Sequence, residues 1–510
     1  MEEQYCWSMK RPPGYLNVGI ILKNASKMYP ERLVINAING EEKTLKKINE
    51  NANRLANGLS SKLKNGSFIP VIAKNSRIEW LELYFGVARA GMIIVPLSYR
   101  LSRNEVENLL RYINSEILIF DYSYIDKINN IDFAGEKFFI GNEETNFENY
   151  IALFSNNISE PNVDIRDDTP VVLGFTSGTT GPPKAYLRSH YANFLNHICY
   201  ALSFDINYKD IALNAVPALS GLSWEIGVIL AGGTNILIDF DPVSVLNAIE
   251  KYKITIMYGV PTMYYSMLHN EYLNKINLKS LRAVASVGAP LSVSLLNQIW
   301  EKISQNVYDH IGLTETGFVA VGKPEMKRKK PEAVGPPTCL HEIKIVDEKG
   351  IENKSGDIGE LIIRYPDGLG EYWQNPQKNR ESFKNGWFYT GDLAKIDEDG
   401  YLYVIGRLKD MIISGGYNVY ATEVENIILT NPKVADCAVI GIPDEKWGEK
   451  VVAVVKIKTN ESTTEEKIIE YCKERMASYK VPKKVIFDEI PRNPTGKIMK
   501  FILIEKYSKK

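Results

Sequence analysis

Cysteine and histidine are scarce in this chain of 510 residues. An odd number of cysteines, scattered and without CxxC spacing, argues against a disulfide framework and a zinc site, and it indicates a reducing compartment. The five histidines form no HxxxH or HExxH pair, so a histidine-based metal site is not expected. The cysteines are Cys6, Cys199, Cys339, Cys437 and Cys472.

Long apolar runs and an excess of charge are also missing. No window reaches the roughly 18 apolar residues of a membrane span, and the first residues lack the pattern of a signal peptide. Lysine plus arginine number 61 against 62 aspartate plus glutamate, so no overall field attracts nucleic acid. We therefore expect a cytoplasmic protein with no membrane span and no nucleic-acid partner. The densest basic run, KRKK at 327–330, predicts a solvated loop.

The order of apolar segments indicates the fold class. A helix is expected over 44–62, and strands are expected at 68–73, 92–97 and 116–121, an alternation typical of a parallel sheet covered by helices. Beyond residue 342 the β-like segments become shorter, as in a small sheet or barrel. The sequence predicts an α/β protein with a large N-terminal domain of α/β subdomains and a small β-barrel-like part (1–407), plus a small α+β C-terminal domain (408–510).

A loop rich in hydroxyls and glycine follows an apolar run and reads GFTSGTTGPPKAYLRSH. Its hydroxyls, backbone N–H groups and lysine suit a nucleotide phosphate. It is not a Walker A motif, because Ala185 follows the lysine. The alternative is a surface turn without a ligand. The candidate phosphate-binding residues are Thr176, Ser177, Gly178, Thr179, Thr180, Gly181 and Lys184.

Two further segments carry groups that suit a nucleotide. In DHIGLTETG (309–317), Gly312 keeps the backbone open, Thr314 offers a hydroxyl and Glu315 offers a carboxylate to Mg²⁺. The alternative is an ordinary turn into a helix. In GWFYTGDLAKIDEDGYLYVIGR (386–407), Asp392 and Arg407 can hydrogen-bond a ribose diol, or they can form a surface salt bridge.

The last two segments lie near the end of the chain. KDMIISGGYNVYATEVE (409–425) contains Gly415 and Gly416, which permit close backbone approach to a ligand or form a simple hairpin turn. PRNPTGKIMK (491–500) presents Lys497 on a loop framed by proline and glycine. Its alternative is a solvated lysine.

Taken together, in this order, the five segments resemble the adenylate-forming superfamily of acyl-CoA synthetases, aryl-CoA ligases, beetle luciferases and peptide-synthetase adenylation domains. The resemblance covers about residues 10–505. It implies an AMP-binding N-terminal domain, a mobile C-terminal domain, and the cofactors ATP, Mg²⁺ and coenzyme A. The implied enzyme is an acid–thiol ligase that forms an acyl-adenylate and pyrophosphate, then an acyl-CoA and AMP.

The resemblance also implies a role for each matching residue. The loop from Thr176 to Lys184 would hold the β- and γ-phosphates of ATP. Thr314 would contact the α-phosphate, and Glu315 would bind Mg²⁺. Asp392 and Arg407 would bind the ribose.

The small domain is implied to bring two different groups to the same site. Lys497 would act with Thr314 and Glu315 as a catalytic residue in the first step. Lys409 would be the hinge about which the domain swings to bring Gly415 and Gly416 to the site for the second step.

Four positions depart from the family pattern. Ile311 stands where an aromatic residue commonly stacks on the adenine, and Ala185 replaces a glycine. Ser220 occupies the place of a histidine associated with the acid site, and Val287 replaces a frequent glycine. None of these changes removes a phosphate, metal or lysine group.

The implied acid pocket is apolar or small, with no aspartate to meet a substrate amine. Gly312 stands where acetate-using relatives carry tryptophan, which favours a deeper pocket, and Val287 and Trp224 would shorten it. These features predict a fatty acid of short-to-medium chain or an aromatic acid. The pocket residues are Ser220, Leu222, Trp224, Val287, Gly288 and Ala289.

Other functions stay open at this point. An adenylation enzyme could load a separate carrier protein, and a non-catalytic nucleotide-binding regulator could use the same motifs. A luciferase-like oxidase would need oxygen chemistry that nothing in the sequence favours. The sequence also leaves a homodimer open.

Overall fold

The computed structural model describes residues 17–99, 101–176, 184–365, 370–492 and 497–508. Its α-helices are α1 (Gly19–Met28), α2 (Leu45–Lys62), α3 (Glu79–Arg89), α4 (Arg103–Ile113), α5 (Ile125–Ile128), α6 (His190–Ser203), α7 (Ala218–Leu230), α8 (Pro242–Tyr252), α9 (Pro261–Leu268), α10 (Val293–Lys302), α11 (Pro324–Lys329), α12 (Pro376–Ser382), α13 (Ala421–Leu429), α14 (Glu465–Lys473) and α15 (Lys500–Ser508).

The strands follow the same chain order. They are β1 (Leu33–Asn36), β2 (Glu42–Thr44), β3 (Phe68–Ile72), β4 (Ile93–Pro96), β5 (Ile117–Asp121), β6 (Glu136–Ile140), β7 (Glu148–Asn149), β8 (Pro170–Thr176), β9 (Lys184–Ser189), β10 (Ile211–Asn214), β11 (Thr234–Leu237), β12 (Ile256–Gly259), β13 (Ala283–Ser286), β14 (Val307–Leu313), β15 (Gly317–Gly322), β16 (Glu342–Val346), β17 (Gly359–Arg364), β18 (Glu371–Tyr372), β19 (Phe383–Lys384), β20 (Trp387–Ile396), β21 (Leu402–Arg407), β22 (Met411–Ser414), β23 (Tyr417–Tyr420), β24 (Val434–Asp444), β25 (Gly448–Ile457) and β26 (Lys484–Phe487).

Two large sheets of eight strands form the body of the protein. The first has the order β15-β14-β13-β12-β10-β11-β1-β2, and the second has the order β18-β9-β8-β4-β3-β5-β6-β7. Most pairs in each sheet are parallel, for example β12 with β13 and β3 with β5. The antiparallel pairs are β1 with β2 and β14 with β15 in the first sheet, and β8 with β9 and β9 with β18 in the second. The strands expected at 68–73, 92–97 and 116–121 are β3, β4 and β5, and the expected helix is α2. The predicted parallel α/β architecture is confirmed.

Helix α7 packs between the two large sheets. Leu222 and Ile226 belong to the apolar cluster that contains α2, α3 and β3. Trp224 and Val228, on the other side of the helix, belong to the cluster around the first sheet. Because α7 is apolar on both faces, it is buried between them, as expected for a helix without a polar side.

Two smaller sheets follow. The first joins β16, β17, β20, β19 and β21 by antiparallel pairs and corresponds to the predicted barrel-like part. The second joins β23, β22, β25, β24 and β26, and α13 and α14 pack against it. A short 3₁₀ turn, Leu408–Asp410, connects the last strand of the one to the first strand of the other. A large N-terminal part and a smaller α+β C-terminal part therefore agree with the predicted fold class.

None of the helices in the described ranges combines the length and the apolar character needed to cross a bilayer.

The basic run at 327–330 is not the solvated loop predicted from its composition. It ends α11, and Lys327 is only 1% exposed, with its Nζ 2.9 Å from Asp309 Oδ2 and 2.7 Å from Ala333 O. Lys330 bridges Asp397 and Asp399 across to the third sheet. The prediction failed because composition cannot show that α11 packs against β14, where a buried carboxylate requires a cation.

Replacing Lys327 with methionine is expected to lower the free energy of unfolding by about 3–5 kcal/mol, because Asp309 would be left buried without its partner. Chemical denaturation measures the change. The matched control is Lys329→Met on the same helix, where the lysine is exposed and the loss should be small. Equal effects of the two substitutions would contradict the assigned ion pair.

Candidate active site

Polar groups from three sheets, together with Lys497 of the C-terminal part, lie near the point where β9 begins and β14 ends. Lys184 is the first residue of β9, and Thr314 and Glu315 follow directly after β14. Both Thr314 and Glu315 are half-buried, which leaves them accessible to a ligand. Ser177, Gly178, Thr179, Thr180 and Gly181 lie outside the described residues, as does the side chain of Thr176, so their predicted role stays a prediction.

Lys184 lies close enough to Glu315, the candidate Mg²⁺ ligand, for this carboxylate to influence its pKa. Partial burial lowers the pKa of Lys184, Lys378 adds to the lowering, and Glu315 opposes it. Arg407 also lowers this pKa. Lys184 therefore shares one electrostatic environment with Glu315 and Arg407, which are far from it in the sequence.

Lys497 reaches the same environment from the C-terminal part. Lys497 is exposed, yet the groups around its ammonium desolvate it enough to lower its pKa; Arg407 adds to the lowering, and Asp392 opposes it. Lys409, in the 3₁₀ turn, is exposed as a whole residue. The largest cause of its lowered pKa is partial desolvation of the ammonium group, and Arg407 and Lys184 lower the pKa further. Mutual repulsion among these cations is what a bound polyanion would relieve.

Asp392 and Arg407 are cross-strand partners on β20 and β21. Arg407 Nε lies 2.6 Å from Asp392 Oδ1, and Asp392 is buried. Burial raises the pKa of Asp392, while Arg407 and Lys497 oppose the rise. The pair predicted to bind a ribose diol is thus held by the register of one hairpin.

Glu315 is oriented by a residue that the sequence did not indicate. The Tyr372 hydroxyl donates to Glu315 Oε1 over 2.6 Å. Tyr372 lies on β18 opposite Tyr186 of β9, and the Trp373 amide donates to Ala185 O at 2.8 Å. The strand that begins with Lys184 therefore also positions the tyrosine that holds Glu315.

The turn between β14 and β15 is anchored from the protein interior. His341 Nε2 donates to Thr316 O at 3.0 Å, and the Phe318 amide donates to Asn196 Oδ1 at 2.9 Å. Gly317 has φ +72°, and a Cβ there would lie 2.9 Å from Arg188 Nη2 and closer still to Asn196 Oδ1. A side chain at this position would strain the backbone and displace Asn196 and Arg188, which favours glycine. The segment is a tight β-turn and not a turn into a helix.

Alternate residues of β14 face different clusters. Ile311 and Leu313 pack toward the third sheet. His310 lies in the first-sheet core, with Nε2 2.9 Å from the Tyr258 hydroxyl, and burial lowers its pKa to about 3. Gly312 is exposed. The contact of Ile311 with an adenine stays a prediction.

Gly415 and Gly416 form the two-residue turn between β22 and β23. Both have positive φ, +59° and +82°, as a type I′ hairpin requires. A Cβ at Gly415 would lie 2.9 Å from the Trp447 ring. The hairpin explains the glycine pair structurally, and its predicted role in the second step stays a prediction.

The predicted acid-pocket residues lie on α7 and on the loop after β13. Trp224 is fully buried and stacks on Tyr258 with ring centroids 4.7 Å apart. Val287 belongs to the same apolar cluster, whereas Gly288 is exposed and Ala289 half-buried. Leu222 is buried on the opposite side of α7. The side chain of Ser220 lies outside the described residues.

Within the described ranges, no three His, Cys, Asp or Glu residues form a metal-binding group. A single carboxylate such as Glu315 is nevertheless the donor set expected when Mg²⁺ takes its other ligands from phosphate oxygens and water. The residues present therefore fit the Mg²⁺–nucleotide complex that the sequence implied.

Replacing Tyr372 with phenylalanine is expected to raise the Mg²⁺ concentration required for half-maximal activity by about tenfold, because partners that orient metal ligands contribute about that much to metal affinity. Magnesium titrations of the wild-type and variant proteins measure it. The control is Tyr403→Phe, whose hydroxyl bonds Asp397 at 3.0 Å away from Glu315. An unchanged Mg²⁺ dependence would show that Tyr372 does not position Glu315.

Comparison with known proteins places the chain in a family. The model of the AMP-binding enzyme family matches residues 22–373, and that of the AMP-binding enzyme C-terminal domain matches residues 423–497. The chain is 33% identical over 500 residues to the long-chain-fatty-acid–CoA ligase FadD13 of Mycobacterium tuberculosis, covering 96% of this chain and 99% of the relative. It is 32% identical to the feruloyl-CoA synthase of an Amycolatopsis species, covering 90% and 93%.

A solved structure shows the same arrangement. The ATP-bound MatB of Rhodopseudomonas palustris superposes with a TM-score of 0.87 at 29% identity, covering 96% of this chain and 99% of that chain. These matches confirm the resemblance and the fold class predicted from the five segments. The chain belongs to the AMP-binding enzyme family.

Proposed function

We propose that this protein is an ATP-dependent acid–CoA ligase. The observation that supports the proposal most directly is the convergence of Lys184, Arg407 and Lys497, from three distant segments, around Glu315 and Asp392. A triphosphate supplies the negative charge that such a cluster lacks. The named activities of the two curated relatives, both CoA-linked, point the same way.

In the first step a carboxylate oxygen of the acid attacks the α-phosphorus of ATP, and the bond to the β-phosphate oxygen breaks to release pyrophosphate. Attack by one anion on another is slow unless the developing charge is neutralised. Lys184 would hold the outer phosphates, and Lys497 would stabilise charge near the α-phosphate. Glu315 would hold Mg²⁺, which supplies further neutralisation when bound.

In the second step the sulfur of coenzyme A attacks the acyl carbon, and AMP leaves with the bonding electrons. Lys497 has no role in this step. We therefore propose that residues 408–510 move about Lys409 between the two steps and bring the Gly415–Gly416 hairpin to the site. The shortness of the connection at Leu408–Asp410 supports a hinge there.

The experiment is ATP–pyrophosphate exchange, measured with and without a panel of carboxylic acids. Acid-dependent exchange supports the enzyme, whereas ATP binding without exchange supports the regulator. Thioester formation with coenzyme A supports the ligase, and product formed only on an added carrier protein supports the carrier loader.

For the substrate we propose a short-to-medium-chain fatty acid or an aromatic acid. The burial of Trp224 and Val287 in one apolar cluster supports a pocket of limited depth. Pyrophosphate release from palmitate faster than from every shorter acid would contradict it. The scattered cysteines also support a cytoplasmic location, and a homodimer stays a prediction.

A further inference from the structure

The carboxyl group of Glu225, on α7, is buried, and one of its oxygens has no hydrogen-bond partner among the described residues. Glu225 is 4% exposed, and its Oε1 accepts a hydrogen bond from Asn214 Nδ2 at 2.6 Å. Its Oε2 has no hydrogen-bond partner among the described residues. Burial raises the pKa of Glu225 to about 8, although the bond from Asn214 opposes the rise. Near neutral pH the side chain is therefore mainly the neutral acid, and the described residues offer its O–H no acceptor.

A small cavity receives this carboxyl group. Its walls are Glu225, Asn214, Asn75, Trp80, Val216 and Leu222. Asn214 is the last residue of β10 in the first sheet, and Asn75 lies just beyond the end of β3 in the second. The cavity thus lies at the carboxyl ends of parallel strands, the edge at which α/β proteins bind their ligands.

Leu222 connects this cavity with the proposed acid pocket. It is one of the α7 residues assigned to that pocket and also a wall of the cavity. Glu225 lies three residues beyond Leu222, close to one helical turn, so both side chains face the cavity from the same side of α7. The cavity therefore adjoins the assigned acid pocket at Leu222, where it can receive the far end of a bound acid.

We propose that Glu225 and Asn214 form a polar end to the acid pocket and recognise a hydroxyl group at the far end of the substrate. This inference rests on the proposed function and narrows its substrate class. An unpaired buried donor loses the hydrogen bonds that it would make in water, a cost that an apolar side chain would avoid. A substrate hydroxyl can accept from the Glu225 O–H, and the carboxamide of Asn75 offers a second partner.

The test compares ω-hydroxy fatty acids with unsubstituted acids of the same chain length, by pyrophosphate release. Wild-type protein should favour the hydroxy acid by at least about tenfold in kcat/KM at the best length, because a polar site penalises a ligand that leaves it unpaired. Glu225→Leu should abolish or reverse the preference. Glu225→Gln, which keeps a donor, should retain most of it.

A matched control separates recognition from packing. Ser223→Ala alters a buried residue on the same helix whose hydroxyl bonds Asn196, and it should affect both acids equally. An unchanged ratio in Glu225→Leu, or no preference in the wild type, would overturn the proposal. A preference for ω-amino acids would also overturn it, since an ammonium group requires ionised Glu225.

Calorimetry of the same acids binding to wild-type and Glu225→Leu protein gives a second measurement. If no acid supports exchange but the hydroxy acid still binds more tightly to the wild type, the proposed function fails and the polar end of the pocket stands. If exchange occurs without any difference in binding or turnover between the paired acids, the proposed function stands and the polar end fails.

Discussion

Replacing Lys497 with alanine is expected to lower the rate of acyl-adenylate formation by about 100-fold or more, the usual effect of removing one donor aimed at developing charge. The influence of Arg407 and Asp392 on the pKa of Lys497 supports its proposed place beside the other charged groups of the site. Acid-dependent pyrophosphate exchange measures the first step.

The second step provides the internal control for this variant. Thioester formation from a supplied acyl-adenylate should remain within a few-fold of wild type, because AMP departure does not need Lys497. Lys506→Ala, which removes an exposed lysine paired with Asp488 in the same part of the chain, should leave both steps unchanged. Equal loss in both steps would mean that Lys497 maintains structure and does not act on the phosphate.

Replacing Glu315 with glutamine is expected to lower adenylate formation by at least about 100-fold, because a Mg²⁺ ion on the phosphates contributes several kcal/mol to the transition state. Excess Mg²⁺ should restore only part of the activity. Since Tyr372 donates to Oε1, an amide oxygen can still accept that bond, so the turn should keep its shape.

The matched control for Glu315→Gln is Glu381→Gln. Glu381 also influences the pKa of Lys184 but is about half exposed in α12. Its loss should change the activity by less than about threefold, as expected for a screened surface charge. Similar losses in both variants would show that general negative charge, and not a metal ligand at Glu315, supports the activity.

The groups proposed to bind the nucleotide could be predicted from the sequence because they lie in short segments of characteristic composition. The Asp392–Arg407 pair and the strands β3, β4 and β5 were predicted for the same reason: hairpins and buried strands leave local patterns. Tyr372 carries no such pattern. It is 57 positions from Glu315, and only the pairing of β18 with β9 brings the two together.

Two other residues show what composition conceals. The charged residues around Lys327 predict a solvated side chain, yet tertiary packing places it against Asp309. Glu225 did leave a signal, since it is the single charged residue in the apolar helix sequence ALSGLSWEIGVIL. Its meaning depended on the cavity beside Asn214, which the sequence could not reveal.

The crowding at Gly317 limits how this enzyme can diversify. Because Gly317 has positive φ and Arg188 and Asn196 lie against it, a substitution there would strain the turn that carries Glu315. New acid preferences should therefore arise by mutation of α7 and of the loop after β13. The residues proposed to activate the acid would stay the same while the residues that select the acid change.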